Sequence, residues 1–373
     1  MRTSHLRAGI AVLLTAALSL GLAVAAAAAA VAFIGPLHTA STVASAVPTS
    51  GSAMGDVNPY GVAVVPRSAG DLRRGDILVS NFNDAANAQG TGSSVVEISP
   101  GGRQQVFAVV PRPTAAPAVG LTTALAVLRS GFVVVGSLPA PGGHAARATA
   151  GALTILDSRG HVAVTVRAPD INGPWDMTAV DSGSHAVLFV TNVLNGTVAA
   201  HGHVVHRGTV VRIVLALGAR RPRITSNRVI ATGFAEHTDP AALVVGPTGV
   251  GLGHGGTLYV ADSVANRIAA IPNALTRTTV LGAGGRTVAA GGALNDPLGL
   301  TIAPGGDIVT TNGANGQVVE TTPAGRRAAA RTLIPSGAGD LFGIAVAPGG
   351  AGLYFVDDAG SGAGANSLSL WRR

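Results

Sequence analysis

The sequence contains no cysteine and no lysine. Without cysteine there is no disulfide frame, no thiol nucleophile and no lipidation box near the amino terminus. Without lysine there is no Walker-type phosphate loop and no Schiff-base amine. All 25 basic residues are arginine, and glutamate occurs only at Glu97, Glu236 and Glu320. Aromatic residues are 3% of the chain. Cations interleaved with stacking rings are therefore missing, which argues against nucleic-acid binding. No stretch carries apolar residues at the 3.6-residue period of a long amphipathic helix.

What is present is dense punctuation and repetition. The chain holds 52 glycines and 21 prolines, and 47% of it is hydrophobic. After residue 56 one pattern recurs six times: a turn with Pro or Gly, an apolar run, a Gly turn, then a second apolar run ending in Asn or Asp. The clearest copy opens at Asn295-Asp296-Pro297-Leu298-Gly299 and ends at Thr311-Asn312. The others open at Asn58-Pro59-Tyr60, Gly120-Leu121, Gly173-Pro174-Trp175-Asp176, Asp239-Pro240-Ala241 and Asp340-Leu341-Phe342. A period of roughly 40–50 residues marks a solenoid or a propeller. Continuous apolar runs such as 62–65 and 133–135 suit strands covered on both faces, as between propeller blades. The pattern predicts an all-β fold, a six-bladed β-propeller of four-stranded antiparallel blades. The last copy supplies three strands, so a strand from residues 38–57 is expected to complete it and close the ring.

Residues 1–46 read as a signal peptide or N-terminal anchor plus linker, and residues 47–373 as the propeller. Arg2 and Arg7 precede a long uncharged run rich in Ala, Leu and Val. This is the plan of a secretory signal. Ala23-Val24-Ala25 and Ala44-Ser45-Ala46 both fit small-x-small cleavage. The run is also long enough to span a bilayer, which takes roughly 20 residues. The expected location is secreted or extracytoplasmic, at the cell surface if the segment stays uncleaved, and the expected state is a monomer. Beyond the leader the balance is 23 arginines against 18 acids, a mild +5. Six arginines and no acid fall between Asp181 and Glu236; a solvated outer edge and an anion-binding surface are the two readings of that stretch.

The run Leu258-Tyr259-Val260-Ala261-Asp262-Ser263-Val264-Ala265-Asn266-Arg267-Ile268 resembles the core of an NHL repeat, and Asn295-Asp296-Pro297-Leu298-Gly299-Leu300 resembles that repeat's opening turn. The likeness covers most of residues 57–371 and is weakest in the second copy. More narrowly, the chain resembles exported bacterial NHL-like proteins of unassigned function. The resemblance implies a six-bladed propeller and no particular activity.

In an antiparallel meander the start of the first strand and the end of the second lie on one face of the disc. Two polar sets are thus expected together near the channel: Asn58, Asp176, Asp239, Asp296 and Asp340 at the openings, and Asn81, Asn192, Asp262, Asn312 and Asp357 at the second-strand ends. Converging Asp and Asn oxygens suit a hard divalent cation such as calcium, or a polar ligand. The same residues also close turns through nearby backbone N–H groups. His201 and His203, at i and i+2, would point the same way in a strand and share a metal such as zinc. Similar six-bladed gluconolactonase-type hydrolases hold a divalent metal with a Glu and Asn/Asp ligands; no Glu lies in either set here. Gly251-Leu252-Gly253-His254-Gly255-Gly256 matches a dinucleotide fingerprint by letter but precedes a strand, so no helix terminus exists to hold a pyrophosphate. No Gly-x-Ser-x-Gly elbow occurs.

Two functions follow. The first is a non-catalytic binding or scaffolding propeller whose channel-face loops contact a polysaccharide, peptide or protein. The second is a metal-dependent hydrolase or lyase with an Asp/Asn-lined site at the channel mouth.

Overall fold

The computed structural model describes residues 31–112, 118–218, 221–335, 341–358 and 365–373. The charged start and most of the apolar run expected to form a signal peptide or anchor lie outside the described residues, as does Asp340. The described strands form six antiparallel sheets. Blade one runs Val57–Val64, Ile77–Asn83, Ser94–Ile98 and Gln104–Val109. Blade two runs Leu121–Val127, Val133–Ser137, Ala152–Leu156 and Val162–Val166. Blade three has Pro174–Asp181, His185–Asn192, Val205–Leu217 and Pro222–Asp239, with a fifth short strand Leu243–Val245. Blade four comprises Pro247–Leu252, Leu258–Asp262, Arg267–Ile271 and Arg286–Ala290. Blade five comprises Pro297–Ile302, Ile308–Asn312, Gln317–Thr321 and Arg327–Thr332. Blade six takes Leu341–Val346, Gly352–Asp357 and Ser367–Arg372 from the end of the chain.

Its fourth strand is Thr39–Ser45, antiparallel to Ser367–Arg372 with Thr39 opposite Arg372. The ring closes as the sequence predicts, but the boundary at residue 47 falls too late. Ile34 and Leu37 are buried in the core cluster of blades five and six. Ala46 is fully buried; its N–H donates to the Asn366 carbonyl (2.8 Å), and its own carbonyl accepts Asn81 Nδ2 (2.9 Å). The cleavage candidate Ala44-Ser45-Ala46 therefore lies inside the closing sheet.

Each innermost strand begins in one register. Pro59, Leu121, Pro174, Pro247, Pro297 and Leu341 face Asn81, Ser137, Asn192, Asp262, Asn312 and Asp357 on the second strands. A β-bulge follows immediately in every blade. It leaves a ladder N–H unpaired and turns the strand toward its neighbour. Side-chain hydroxyls fill the gap and tie blade to blade. Gly61 N–H donates to Ser80 Oγ (3.0 Å), which donates to the Thr122 carbonyl (2.8 Å). Asp176 N–H donates to Thr191 Oγ1 (3.0 Å), which donates to the Thr248 carbonyl (2.8 Å). Gly299 N–H donates to Thr311 Oγ1 (2.8 Å), which donates to the Phe342 carbonyl (3.2 Å). Blades two and four have Gly136 and Ala261 where that hydroxyl would sit. There Thr122 donates to the Pro174 carbonyl (2.8 Å) and Thr248 to the Pro297 carbonyl (3.0 Å). The seam between blades six and one has Val356 at this position; Tyr60 and Phe342 meet across it with ring centroids 4.0 Å apart.

Blade four opens at Pro247, not at Asp239-Pro240-Ala241 as the sequence suggests. Asp239 instead ends the 18-residue outer strand of blade three, where its Oδ1 accepts the Ala241 N–H (2.7 Å) in a tight turn. The chain then folds back, pairing Leu243 with Asp239 and Val245 with His237. Three arginines of the basic stretch bond to the backbone of neighbouring blades. Arg212 Nη1 donates to the Ala274 and Leu275 carbonyls (both 2.8 Å), Arg228 Nη1 to the Thr278 carbonyl (2.8 Å) and Arg221 Nε to the Ala163 carbonyl (3.2 Å). These guanidinium groups join blade three to its neighbours.

Candidate functional site

The residue after each opening position forms a ring around the channel: Tyr60, Thr122, Trp175, Thr248, Leu298 and Phe342. Both threonines turn to the next blade's backbone. The four large side chains form a floor across the channel. Tyr60 is its centre, stacked on Phe82 at 4.5 Å and tilted against Trp175 at 5.9 Å. Burial first, and then the charge of Asp358, push the Tyr60 hydroxyl up, so it remains neutral.

Above the floor, on the face where the blades open, lies a chamber of about 240 Å³. Tyr60, Trp175, Leu298 and Phe342 line its base, and Asn58, Asn83, Gln89, Asp296 and Asp358 its walls. Residues 241–245 form the far wall: Gln89 Nε2 of blade one donates to the Ala241 carbonyl of the blade-three arm. Leu243 and Val244 are fully buried in the same apolar cluster as the floor. The loop bearing Asn83 and Gln89 is braced from within. Asn83 Nδ2 donates to Asn87 Oδ1 (2.7 Å), and Asp84 Oδ1 accepts the N–H of Ala86 (3.1 Å) and Ala88 (3.2 Å). Three amide oxygens here, Asn58 Oδ1, Asn83 Oδ1 and Gln89 Oε1, are buried without a hydrogen-bond donor. Buried acceptors in native proteins are normally satisfied, so these three are free to accept a donor from water or from a ligand. Asp296 is raised by burial and then by the charge of Asp239, with His237 opposing.

Below the floor is a second cavity of about 270 Å³ inside the innermost strands of all six blades, and Asp176 lines it. Burial pushes this carboxyl up to about 7, against hydrogen bonds from the backbone of Met177 and Val250.

The polar ring expected from the sequence thus divides. Asn58 and Asp296 reach the upper chamber and Asp176 the lower cavity. Asp239 belongs to the turn of the arm. The second-strand residues sit one strand further from the axis, about 4.8 Å, and serve structure. Asn81 Nδ2 donates to Ala46 O and to Ser94 Oγ (3.0 Å), and Asn312 Nδ2 to the Ala293 carbonyl (2.7 Å). Asp262 Oδ2 accepts Arg267 Nε at 2.8 Å. Asn192 is fully buried in the strand end, with Nδ2 3.4 Å from the Val190 carbonyl. Asp357 pairs with Ser367 in the sheet. None of these five lines the chamber. His201 and His203 are exposed; His201 caps a 3-10 turn with φ +52° and the His203 N–H donates to Ala200 O (3.0 Å), so the strand phase expected of them is absent. Among the described residues no group of three or more His, Asp or Glu side chains is placed to hold a metal. The sequence reading missed the aromatic floor. Its signal was there: Tyr60, Trp175 and Phe342 occupy one repeat position in a chain poor in aromatics.

No family profile and no curated protein matches this sequence. Solved structures match its fold. A putative gluconolactonase aligns with TM-score 0.54 at 15% identity, over 91% of this chain and 93% of that one. A gluconolactonase from Xanthomonas campestris gives 0.54 at 14%, over 91% and 90%. The aldose sugar dehydrogenase of Streptomyces coelicolor, solved with PQQ, gives 0.54 at 14%, over 89% and 97%. At such identities the likeness is one of fold.

Proposed function

We propose that this protein is an extracytoplasmic binding propeller whose upper chamber takes one ring of a sugar. One observation carries the reading: a floor of Tyr60, Trp175 and Phe342 beneath three unpaired amide oxygens, in a chamber of about 240 Å³. A sugar presents an apolar face to aromatic rings and hydroxyl donors at its edge, and small-ligand sites combine apolar walls with a few placed polar groups. The blades are read as NHL-type repeats. In blade four the motif's Arg267 pairs with Asp262, and Asn266 Oδ1 accepts the Asp296 N–H (3.1 Å) at the next blade's opening. Asp262, Asn266 and Arg267 of the motif thus each have a physical role. A polysaccharide end is the partner preferred over a peptide or protein, because the chamber admits a single ring.

The second reading is a divalent-cation site for lactone hydrolysis. Asn58, Asp296 and Asp358 supply the oxygen donors that calcium prefers, and two fold neighbours are called gluconolactonases. Titration calorimetry with a panel of mono- and disaccharides, with and without calcium or zinc, separates the two. Saturable sugar binding without metal, weakened in Asn83→Ala and Gln89→Ala, supports the first. Stoichiometric metal with lactone hydrolysis that Asp296→Asn abolishes replaces it with the second.

A further inference from the structure

The lower cavity is a separate site, independent of the upper chamber. Its walls include Val62, Leu125, Met177, Leu300 and Ile344, with hydroxyls from Thr123, Thr178 and Thr301. Asp176 is the one ionisable side chain among the described lining residues. Its register position is informative. Blades one, four, five and six have Gly61, Gly249, Gly299 and Gly343 there. In the last three an added Cβ would meet a carbonyl oxygen of the next blade, Leu298, Phe342 or Tyr60, at 2.4, 2.1 and 2.0 Å. Blade two has Thr123, whose hydroxyl donates to the Trp175 carbonyl. Blade three alone places an acid. Its Oδ2 accepts the Val250 N–H of blade four at 3.0 Å. A neutral hydroxyl makes such a link elsewhere in the ring, so the link does not call for a carboxyl.

We propose that this cavity binds a small aliphatic primary amine, with its ammonium group paired to the Asp176 carboxylate and its short hydrocarbon against the side chains of Leu125, Leu300 and Ile344. Asp176 is half-buried on the cavity wall; a partly desolvated carboxylate without a cationic partner is disfavoured, and an entering cation offsets that. No charged residue acts on Asp176, so the fold itself supplies no cation to compete with an entering ammonium. A divalent metal fits poorly, because calcium takes 6–8 oxygens and Asp176 supplies the one carboxylate among the described lining residues. An anion is repelled. The volume, about 270 Å³, sets the size at a short chain. Near neutral pH part of the protein holds Asp176 protonated. There the ammonium enters, the carboxylic proton leaves to buffer, and the charge inside is balanced.

Isothermal titration with n-butylamine, with n-butanol and calcium chloride as controls, tests this in the full-length protein. Saturable amine binding is expected, tighter at pH 8 than at pH 6. At pH 6, two buffers of different ionisation heat should report proton release that fades by pH 8. Asp176→Asn is expected to weaken binding by roughly tenfold or more, the scale of one charge-assisted bond, with the melting transition retained. Should that variant not fold, Thr301→Trp fills the cavity, leaves Asp176 in place and is expected to block the amine. Gln89→Ala, in the upper chamber, should leave amine binding unchanged. The proposal is overturned if wild type shows no saturable amine binding, if butanol or calcium binds as well as the amine, or if Asp176→Asn binds equally.

Discussion

At Gly343 a Cβ would lie 2.0 Å from the Tyr60 carbonyl oxygen, and at Gly305 it would meet nothing within 4 Å. Neither position has left-handed backbone, so the difference between them is space alone. Gly343→Ala must push blade six away from blade one at the seam that lacks a hydroxyl link. It is expected to cost about 3 kcal/mol, the upper range for overpacking, whereas Gly305→Ala should stay within about 0.5 kcal/mol. Urea denaturation of both variants measures this; equal stabilities would mean the blades are not held at this distance. Asp and Asn play two parts at the same scale. Asn58 and Asp296 sit at φ +59° and +56°, a conformation these residues tolerate better than most, and so turn the chain into each blade while lining the chamber. Asp262, one strand out, is spent on Arg267.

Among the elements, Thr39–Ser45 has the clearest consequence. Its approach segment is held by Glu320, whose carboxylate accepts the N–H of Phe33 and Ile34 (both 2.8 Å). Burial of Ile34 and Leu37 contributes about 3–6 kcal/mol as an upper bound. A chain beginning at residue 47 is therefore expected to melt well below one beginning at residue 32, and to regain stability when a peptide of residues 32–46 is supplied. Differential scanning fluorimetry reads both outcomes; no difference between the two chains would show that three strands suffice for blade six. The blade elements were legible because each carries an apolar run between Gly and Pro turns, as in 295–312. The closing strand was legible only by subtraction, since Thr39–Ser45 is polar and small and its exposed pattern resembles a linker. The arm of blade three was not legible: Asp239-Pro240-Ala241 has the letters of a blade opening, and only the pairing of Pro247 with Asp262 shows which turn is used. The upper chamber was half legible. Asn58 and Asp296 follow from the repeat, but Asn83 and Gln89 sit in a loop whose fold is set by Asp84 and Asn87. Nothing periodic marks them.

At the scale of the molecule, the described acids are governed more by burial than by pairing. Among the described residues the only side-chain ion pairs are Arg267–Asp262 and the exposed His161–Asp157. Burial instead raises the carboxyls of Asp56, Asp76, Asp176, Glu236, Asp262, Asp296 and Glu320, while Asp157 is lowered. A carboxyl with a raised folded pKa holds its proton more tightly in the native state. Its contribution to stability is full below the unfolded value and is lost as pH climbs through the folded one. For Asp176 and Glu236 that window runs from the ordinary values of 3.8 and 4.5 up to about 7. The melting temperature is expected to fall between pH 5 and pH 8, and Glu236→Gln to flatten part of that slope. A profile that rises over this range would contradict the assignment. The closed ring has one more implication. His38 N–H reaches the Arg372 carbonyl at 3.0 Å, so the two ends of the folded body lie side by side as neighbours in one sheet. Such a body has no privileged starting point. Joined by a linker from 373 back to 32 and cut at the open turn around Gly305, the same polypeptide in rotated order retains every pairing described above, and its new ends emerge between strands of blade five.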